Sequence, residues 1–216
     1  NVLFCCLVLS SNHTLAVFIP VSNSNVVRIV GRAVSVPDAF SAEGGLRFDW
    51  PGTRFLASLR GTQLQVVLSD VGNCYDLEVD GSKTVLETNS TEVNYTLASG
   101  LSAGSHLVML TKRTEGKSST WHGSATIHGF IASGAGDPLP PSSDRRLLFI
   151  GDSLCCGTGA LGKSSQCVSA VLVFQSAPAG FAMQALGFLE AEGQLACASG
   201  RGLLRNYGAP KERWGM

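Results

Sequence analysis

Ser153 is the residue best placed to do chemistry. It stands in the run Arg145-Arg146-Leu147-Leu148-Phe149-Ile150-Gly151-Asp152-Ser153-Leu154-Cys155-Cys156-Gly157-Thr158-Gly159. Leu147 to Ile150 read as a short buried strand. Gly151-Asp152-Ser153-Leu154 breaks that strand, and Gly157 and Gly159 follow it. A strand ending in a tight glycine turn holds one side chain at the carboxyl edge of a sheet, where open α/β folds build their sites. A serine held there is a candidate nucleophile. The alternative is a surface turn that carries the tetrapeptide by chance.

A nucleophilic serine needs a base, and the chain offers few. Its four histidines, His13, His106, His122 and His128, all precede Ser153, and neither histidine nor aspartate follows it. His106 sits in an alternating strand, and His122 and His128 flank another; each reads as a satisfied surface or core histidine. Lys112 and Glu115 read as a solvated pair. Trp50 and Trp121 read as core or hairpin-tip residues, with stacking on a sugar ring as the other use. The histidines show no metal-ligand spacing and no paired Cys-x-x-Cys motifs occur, so neither a metal nor another cofactor is expected.

The elements that position the serine fall into two grammars. Residues 25–133 read as β throughout, with strands expected at Val26–Val30, Leu46–Trp50, Phe55–Leu59, Leu64–Leu68, Lys83–Leu86, His106–Thr111 and Ser124–Ile131. Tyr75, Leu77 and Val79 alternate with Asp76, Glu78 and Asp80, as in a half-buried strand, and Asp80-Gly81 is a hairpin turn signal. Short strands at this spacing predict a sandwich. Gly134 to Ser143 is rich in proline and reads as a linker. Beyond it, the Leu147–Ile150 strand precedes a helix over Phe181–Glu192, stopped at Gly193, and a strand over Leu195–Ala198. Strand, helix, strand predicts a parallel βαβ unit, so residues 144–216 read as the beginning of an α/β domain.

Bulk composition narrows the class. The 216 residues carry sixteen basic and sixteen acidic side chains, 25 glycines and a 44% hydrophobic fraction. The balance carries no nucleic-acid footprint, and no stretch approaches the ~20 apolar residues of a membrane span. The apolar run Val2 to Leu9 has the length of a signal-peptide core, so residues 1–24 read as a leader remnant. Asn12, Asn89 and Asn94 each begin an Asn-x-Ser/Thr sequon. Together these features predict a secreted or extracellular glycoprotein. Seven cysteines leave the pairing open.

The order of the local motifs resembles carbohydrate esterase family 2, in which an N-terminal β-sandwich precedes an SGNH (GDSL-type) hydrolase domain. The similar stretches are Gly31-Arg32, Phe48-Asp49-Trp50-Pro51-Gly52-Thr53, Leu59-Arg60-Gly61-Thr62, Tyr75 to Gly81, Gly100 to His106, Lys112-Arg113-Thr114-Glu115, Gly129-Phe130, Gly151 to Leu154, and Ser199-Gly200-Arg201-Gly202-Leu203 with Arg205-Asn206-Tyr207. The resemblance implies a jelly-roll-like sandwich, then the start of a flavodoxin-like, three-layer α/β domain. It also implies a serine esterase that removes acetyl groups from acetylated polysaccharides without a cofactor. It makes Ser153 the nucleophile within the motif Gly151, Asp152, Leu154. The backbone of Ser153 and of Gly200 would hold the oxyanion, with Gly202 as the fallback. The third-block asparagine and the histidine of the family have no counterpart, and Val168 to Phe174 is apolar where the family is polar. By this resemblance residues 144–216 are a partial hydrolase domain, weakly active or inactive alone. The other readings are a non-catalytic sugar-binding or interaction module, and an SGNH esterase or lipase with a different ester.

Overall fold

Alternation decides most of the strands, because one buried face demands an apolar residue at every second position. A computed structural model describes residues 16–115, 124–167 and 172–208. The strands are β1 (Val17–Pro20), β2 (Val27–Val30), β3 (Ala33–Val36), β4 (Gly45–Phe48), β5 (Arg54–Arg60), β6 (Gln63–Ser69), β7 (Cys74–Val79), β8 (Ser82–Glu87), β9 (Asn94–Ser99), β10 (Ser105–Lys112), β11 (Ala125–Ala132), β12 (Gly134–Ala135), β13 (Arg146–Gly151) and β14 (Glu192–Cys197). The helices are α1 (Ser153–Cys156) and α2 (Phe181–Phe188).

Two antiparallel sheets form the sandwich. One runs β3-β4-β11-β6-β9, with β1 also on β11. The other runs β12-β5-β10-β7-β8, with β2 also on β5. Between them lies one apolar core that includes Phe48, Phe55, Leu59, Leu64, Tyr75 and Phe130. Phe48 from one sheet meets Phe55 from the other edge to face at 4.7 Å. In β7, Tyr75, Leu77 and Val79 all point inward, as the alternation requires. The β7–β8 hairpin turns through Asp80 and Gly81, both with positive φ. The described part of residues 25–133 contains no helix.

Four strands escape the sequence reading. β1 pairs antiparallel with β11 from Val17 to Pro20, so the leader span 1–24 gives its last residues to the sandwich. β9 begins at the Asn94 sequon, where no strand was expected, with Tyr95 and Leu97 alternating inward. β3 joins β4. Gly134 and Ala135, expected in the linker, pair with Arg60 and Leu59.

The βαβ unit is present. β13 and β14 pair in parallel, from Arg146↔Glu192 to Gly151↔Cys197, and α2 lies between them in sequence. A second core joins Cys155, Cys156, Ala182, Leu186, Leu195 and Cys197. Two expectations are corrected here. β13 is not buried on both faces: Leu148 is 52% and Ile150 64% exposed. Gly193 does not stop the helix, which ends at Phe188, with Glu190 turning at φ 49°. Gly193 lies inside β14, where a Cβ would meet Leu186 Cδ2 at 2.5 Å and the Leu147 carbonyl at 2.7 Å. Glycine is needed there for α2 to lie close on the strand pair. No helix among the described residues is long and apolar enough to cross a membrane.

Candidate active site

The carboxyl ends of β13 and β14 open into one cleft. Asp152 caps α1, its side chain accepting from the Leu154 N–H at 3.0 Å. Ser153 therefore begins a helical turn, with only Asp152 between it and the end of β13 at Gly151, where the sequence reading placed a break in the strand. That turn closes at Gly157, φ 74°, where any Cβ would run into the Ser176 carbonyl. On the neighbouring strand, Ala198 N–H donates to the Gly151 carbonyl at 3.0 Å, and the chain turns at Ser199 and Gly200. Cys155 of α1 and Cys197 of β14 form a disulfide, with Cα atoms 5.6 Å apart. Cys74, Cys156 and Cys167 keep free thiols.

The cleft has a volume of about 1140 Å³ and brings together Asp152, Ser153, Leu154, Gly200, Gly202 and Glu115, among others. Ser153 is half-buried and Leu154 is exposed. Gly200 adopts φ 74°, and its carbonyl accepts from the Tyr207 N–H at 2.8 Å. The Gly202 N–H is directed to Asn206 Oδ1 at 3.4 Å.

The two described histidines are held inside the sandwich. His106 is buried; its Nδ1 lies 2.6 Å from Asp80 Oδ2 and its Nε2 2.9 Å from the Ser102 carbonyl. Both neighbours only accept, so the ring needs both protons to satisfy them. The Asp80 hydrogen bond is the main cause that raises the His106 pKa, and burial opposes it. His128 places Nε2 2.8 Å from Ser69 Oγ and Nδ1 2.7 Å from Asp38 Oδ2, the latter off the line of a hydrogen bond. No described histidine lines the cleft. His13, His122, Trp121 and Asn12 lie outside the described residues. Trp50 is half-buried beside the Pro51-Gly52 turn. Asn89 and Asn94 are exposed.

The sequence reading mistook Lys112 and Glu115. Both are buried, and they do not form a solvated pair. Lys112 is fully buried; its Nζ donates to the carbonyls of Thr114 at 2.7 Å and Glu115 at 3.2 Å. The Glu115 carboxylate crosses from the sandwich to the α/β unit. There it accepts from the Ser199 N–H and hydroxyl, from Cys156 Sγ at 2.9 Å and from Thr158 Oγ1 at 3.3 Å. Burial and the neighbouring Glu115 push the Cys156 thiol pKa up. Only the Lys-Arg-Thr-Glu motif hinted at this, since the donors to the Glu115 carboxylate lie 41 to 84 residues away.

The comparisons agree with this architecture. The family profile described as carbohydrate esterase 2 N-terminal matches residues 30–141. Cellulase/esterase CelE of Acetivibrio thermocellus is 31% identical over 172 residues, which is 78% of this chain and 20% of that protein. The acetylxylan esterase / glucomannan deacetylase of Cellvibrio japonicus is 27% identical over 203 residues, 92% of this chain and 52% of that protein. The chain thus spans a fifth of the first relative and about half of the second. The solved family two carbohydrate esterase from Clostridium thermocellum, in complex with cellohexaose, superposes with TM-score 0.73 at 29% identity, over 85% of this chain and 55% of that one. A family two carbohydrate esterase from Cellvibrio japonicus shares the fold, with TM-score 0.78 at 22% identity, over 92% and 57% of the two chains. Because the matched profile occupies just over half of its length, the chain belongs to carbohydrate esterase family 2 through that family's N-terminal domain.

Proposed function

We propose that this chain takes part in the hydrolysis of acetyl esters on polysaccharide sugars, as an SGNH-type serine esterase. The observation that carries the reading is the meeting of Ser153 and Gly200 in one cleft at the carboxyl ends of a parallel strand pair. Ser153 Oγ attacks the acetyl carbonyl and passes its proton on to the departing sugar hydroxyl. The oxyanion is held by the N–H groups of Ser153 and Gly200. Water then cleaves the acyl-serine, releasing acetate and restoring the hydroxyl. In this reading the sandwich runs from Val17 to Ala135, and residues 144–216 supply the first part of the hydrolase domain.

The 216 residues should turn over slowly, because a neutral hydroxyl without a base is a weak nucleophile. Acetate release from acetylated xylan oligosaccharides is the measurement. The parent chain is expected to exceed background by about a hundredfold, with binding and oxyanion donors but no base, and the Ser153→Ala variant to fall to background, because the attacking hydroxyl is gone. Equal rates in both proteins, with cellohexaose bound equally well by both, would instead support the non-catalytic sugar-binding reading. The absence of a histidine from the lining of the cleft, among the described residues, favours that alternative.

Secretion belongs to the same proposal. It is supported by the apolar run Val2–Leu9 and by the exposed Asn89 and Asn94. Expressed in a eukaryotic secretory host, the chain should shift on gels after endoglycosidase treatment, and Asn89→Gln with Asn94→Gln should shrink that shift. A chain that stays inside such cells and carries no glycan argues against it.

A further inference from the structure

We infer that Glu115 is a positioning residue for the esterase site: the sandwich reaches across with this carboxylate and sets the turn that presents Gly200. The inference rests on the esterase reading of Ser153 and Gly200. Glu115 lies three residues beyond β10, is 5% exposed, and lines the cleft. Its Oε1 accepts from Ser199 N–H and Cys156 Sγ, and its Oε2 from Ser199 Oγ at 2.6 Å and Thr158 Oγ1 at 3.3 Å. Four donors come close to the full accepting capacity of one carboxylate. They belong to α1, to the loop after it and to the turn after β14. One side chain therefore ties the nucleophile segment to the donor segment.

The base of the arm is held as firmly as its tip. Glu115 N–H donates to Gln175 Oε1 at 3.2 Å, its carbonyl accepts from Lys112 Nζ at 3.2 Å, and Thr114 Oγ1 donates to Asn73 Oδ1 at 2.6 Å. Ser199 directly precedes Gly200. Fixing the Ser199 N–H and hydroxyl on one side, and the Gly200 carbonyl through Tyr207 N–H on the other, sets the peptide that carries the Gly200 N–H. The Cys155–Cys197 disulfide anchors the strand end just before this turn. A buried carboxylate is costly unless donors satisfy it, and this one is met by Ser199 and Thr158 of the cleft wall and by Cys156 of the core beneath it. Fold stability alone does not require that choice of partners.

The test uses the chain of 216 residues with a fluorogenic acetate ester, read beside amide hydrogen exchange. Glu115→Ala should lower kcat by about tenfold to a hundredfold, as expected when one oxyanion donor is misplaced, with KM unchanged. Glu115→Gln keeps an acceptor oxygen and should recover to within about fivefold of the parent, the loss of charge assistance alone. Ser199→Ala removes only the hydroxyl contact with Glu115 and should fall between the parent and Glu115→Ala, and the double variant should be no worse than Glu115→Ala. Exchange at residues 198–202 should quicken in Glu115→Ala while β5 and β10 stay protected. Unchanged exchange at 198–202 overturns the inference. So does unchanged kcat in a protein whose activity Ser153→Ala abolishes, which reduces Glu115 to a structural tie. Should Glu115→Ala fail to fold, Glu115→Gln and Ser199→Ala carry the same comparison. Should Ser153→Ala leave the parent rate intact, the esterase reading fails by itself, and the hold of Glu115 on the turn stands or falls on the exchange data.

Discussion

Replacing Phe55 with alanine should cost about 4 kcal/mol of folding stability. Phe55 is fully buried on β5, an interior strand of its sheet, and its ring meets Phe48 of the opposite sheet at 4.7 Å. Phe48 in turn faces Tyr75 edge to face at 6.3 Å. Truncation removes the transfer energy of the ring, leaves a cavity between two sheets that cannot collapse, and deletes an aromatic pair worth about 1 kcal/mol. Phe55→Leu fills most of the space and should cost less, about 1.5 kcal/mol. Urea unfolding followed by circular dichroism separates the two. An alanine variant within about 1 kcal/mol of the parent would mean that the aromatic bridge does not hold the sheets together.

Lys112 should make stability depend on pH in an uncommon direction. Its ammonium is fully buried, and burial brings its pKa down from 10.5 to about 8, against the attraction of Asp49, Asp70 and Glu115. Between those two values the unfolded chain binds the proton and the folded one releases it. Stability then rises with pH, because the unfolded state holds more protons. At about 1.4 kcal/mol per unit, the gain is about 3 kcal/mol across that window. Tyr75 and Cys156 oppose it, since their raised pKa values favour unfolding once the unfolded chain ionises. Comparison with Lys112→Met cancels those shared terms. That variant should lose about 2 kcal/mol at pH 7, where the Thr114 and Glu115 carbonyls lose their donor, and the gap should widen toward pH 10.5. Parallel stability curves for the two proteins would show that Lys112 does not change its charge on folding.

The strands that alternate cleanly were legible. β7 shows Tyr75, Leu77 and Val79 inward and turns at Asp80-Gly81, as two-residue periodicity and turn chemistry require. β9 was hidden because its exposed face carries a sequon, while its inward face holds only Tyr95 and Leu97. At the candidate site, the turn that carries Ser153 was legible from local grammar, while Gly200 entered only through the family resemblance; both line the cleft. Glu115 was not, because a charged residue in a polar run carries no local sign of burial. Its partners are Ser199, Cys156 and Thr158, and only the packing of the two units brings them within reach. Gly193 was misread for a related reason: its closeness to Leu186 and Leu147 is tertiary, and in the sequence it resembles any helix-ending glycine.

The arm that Glu115 extends across the junction also bears on how such proteins can be recombined. The chain between the units, from Gly136 to Ser143, looks like a natural place to cut and graft a foreign sandwich onto the serine-bearing half. A graft made there exchanges Lys112, Thr114 and Glu115 while keeping Ser199, Cys156 and Thr158. The two sides then match only if the donor sandwich brings its own acidic arm of the same reach. Compatibility between such halves is written in a handful of side chains on either side of the seam, and a designer choosing parts should match those first.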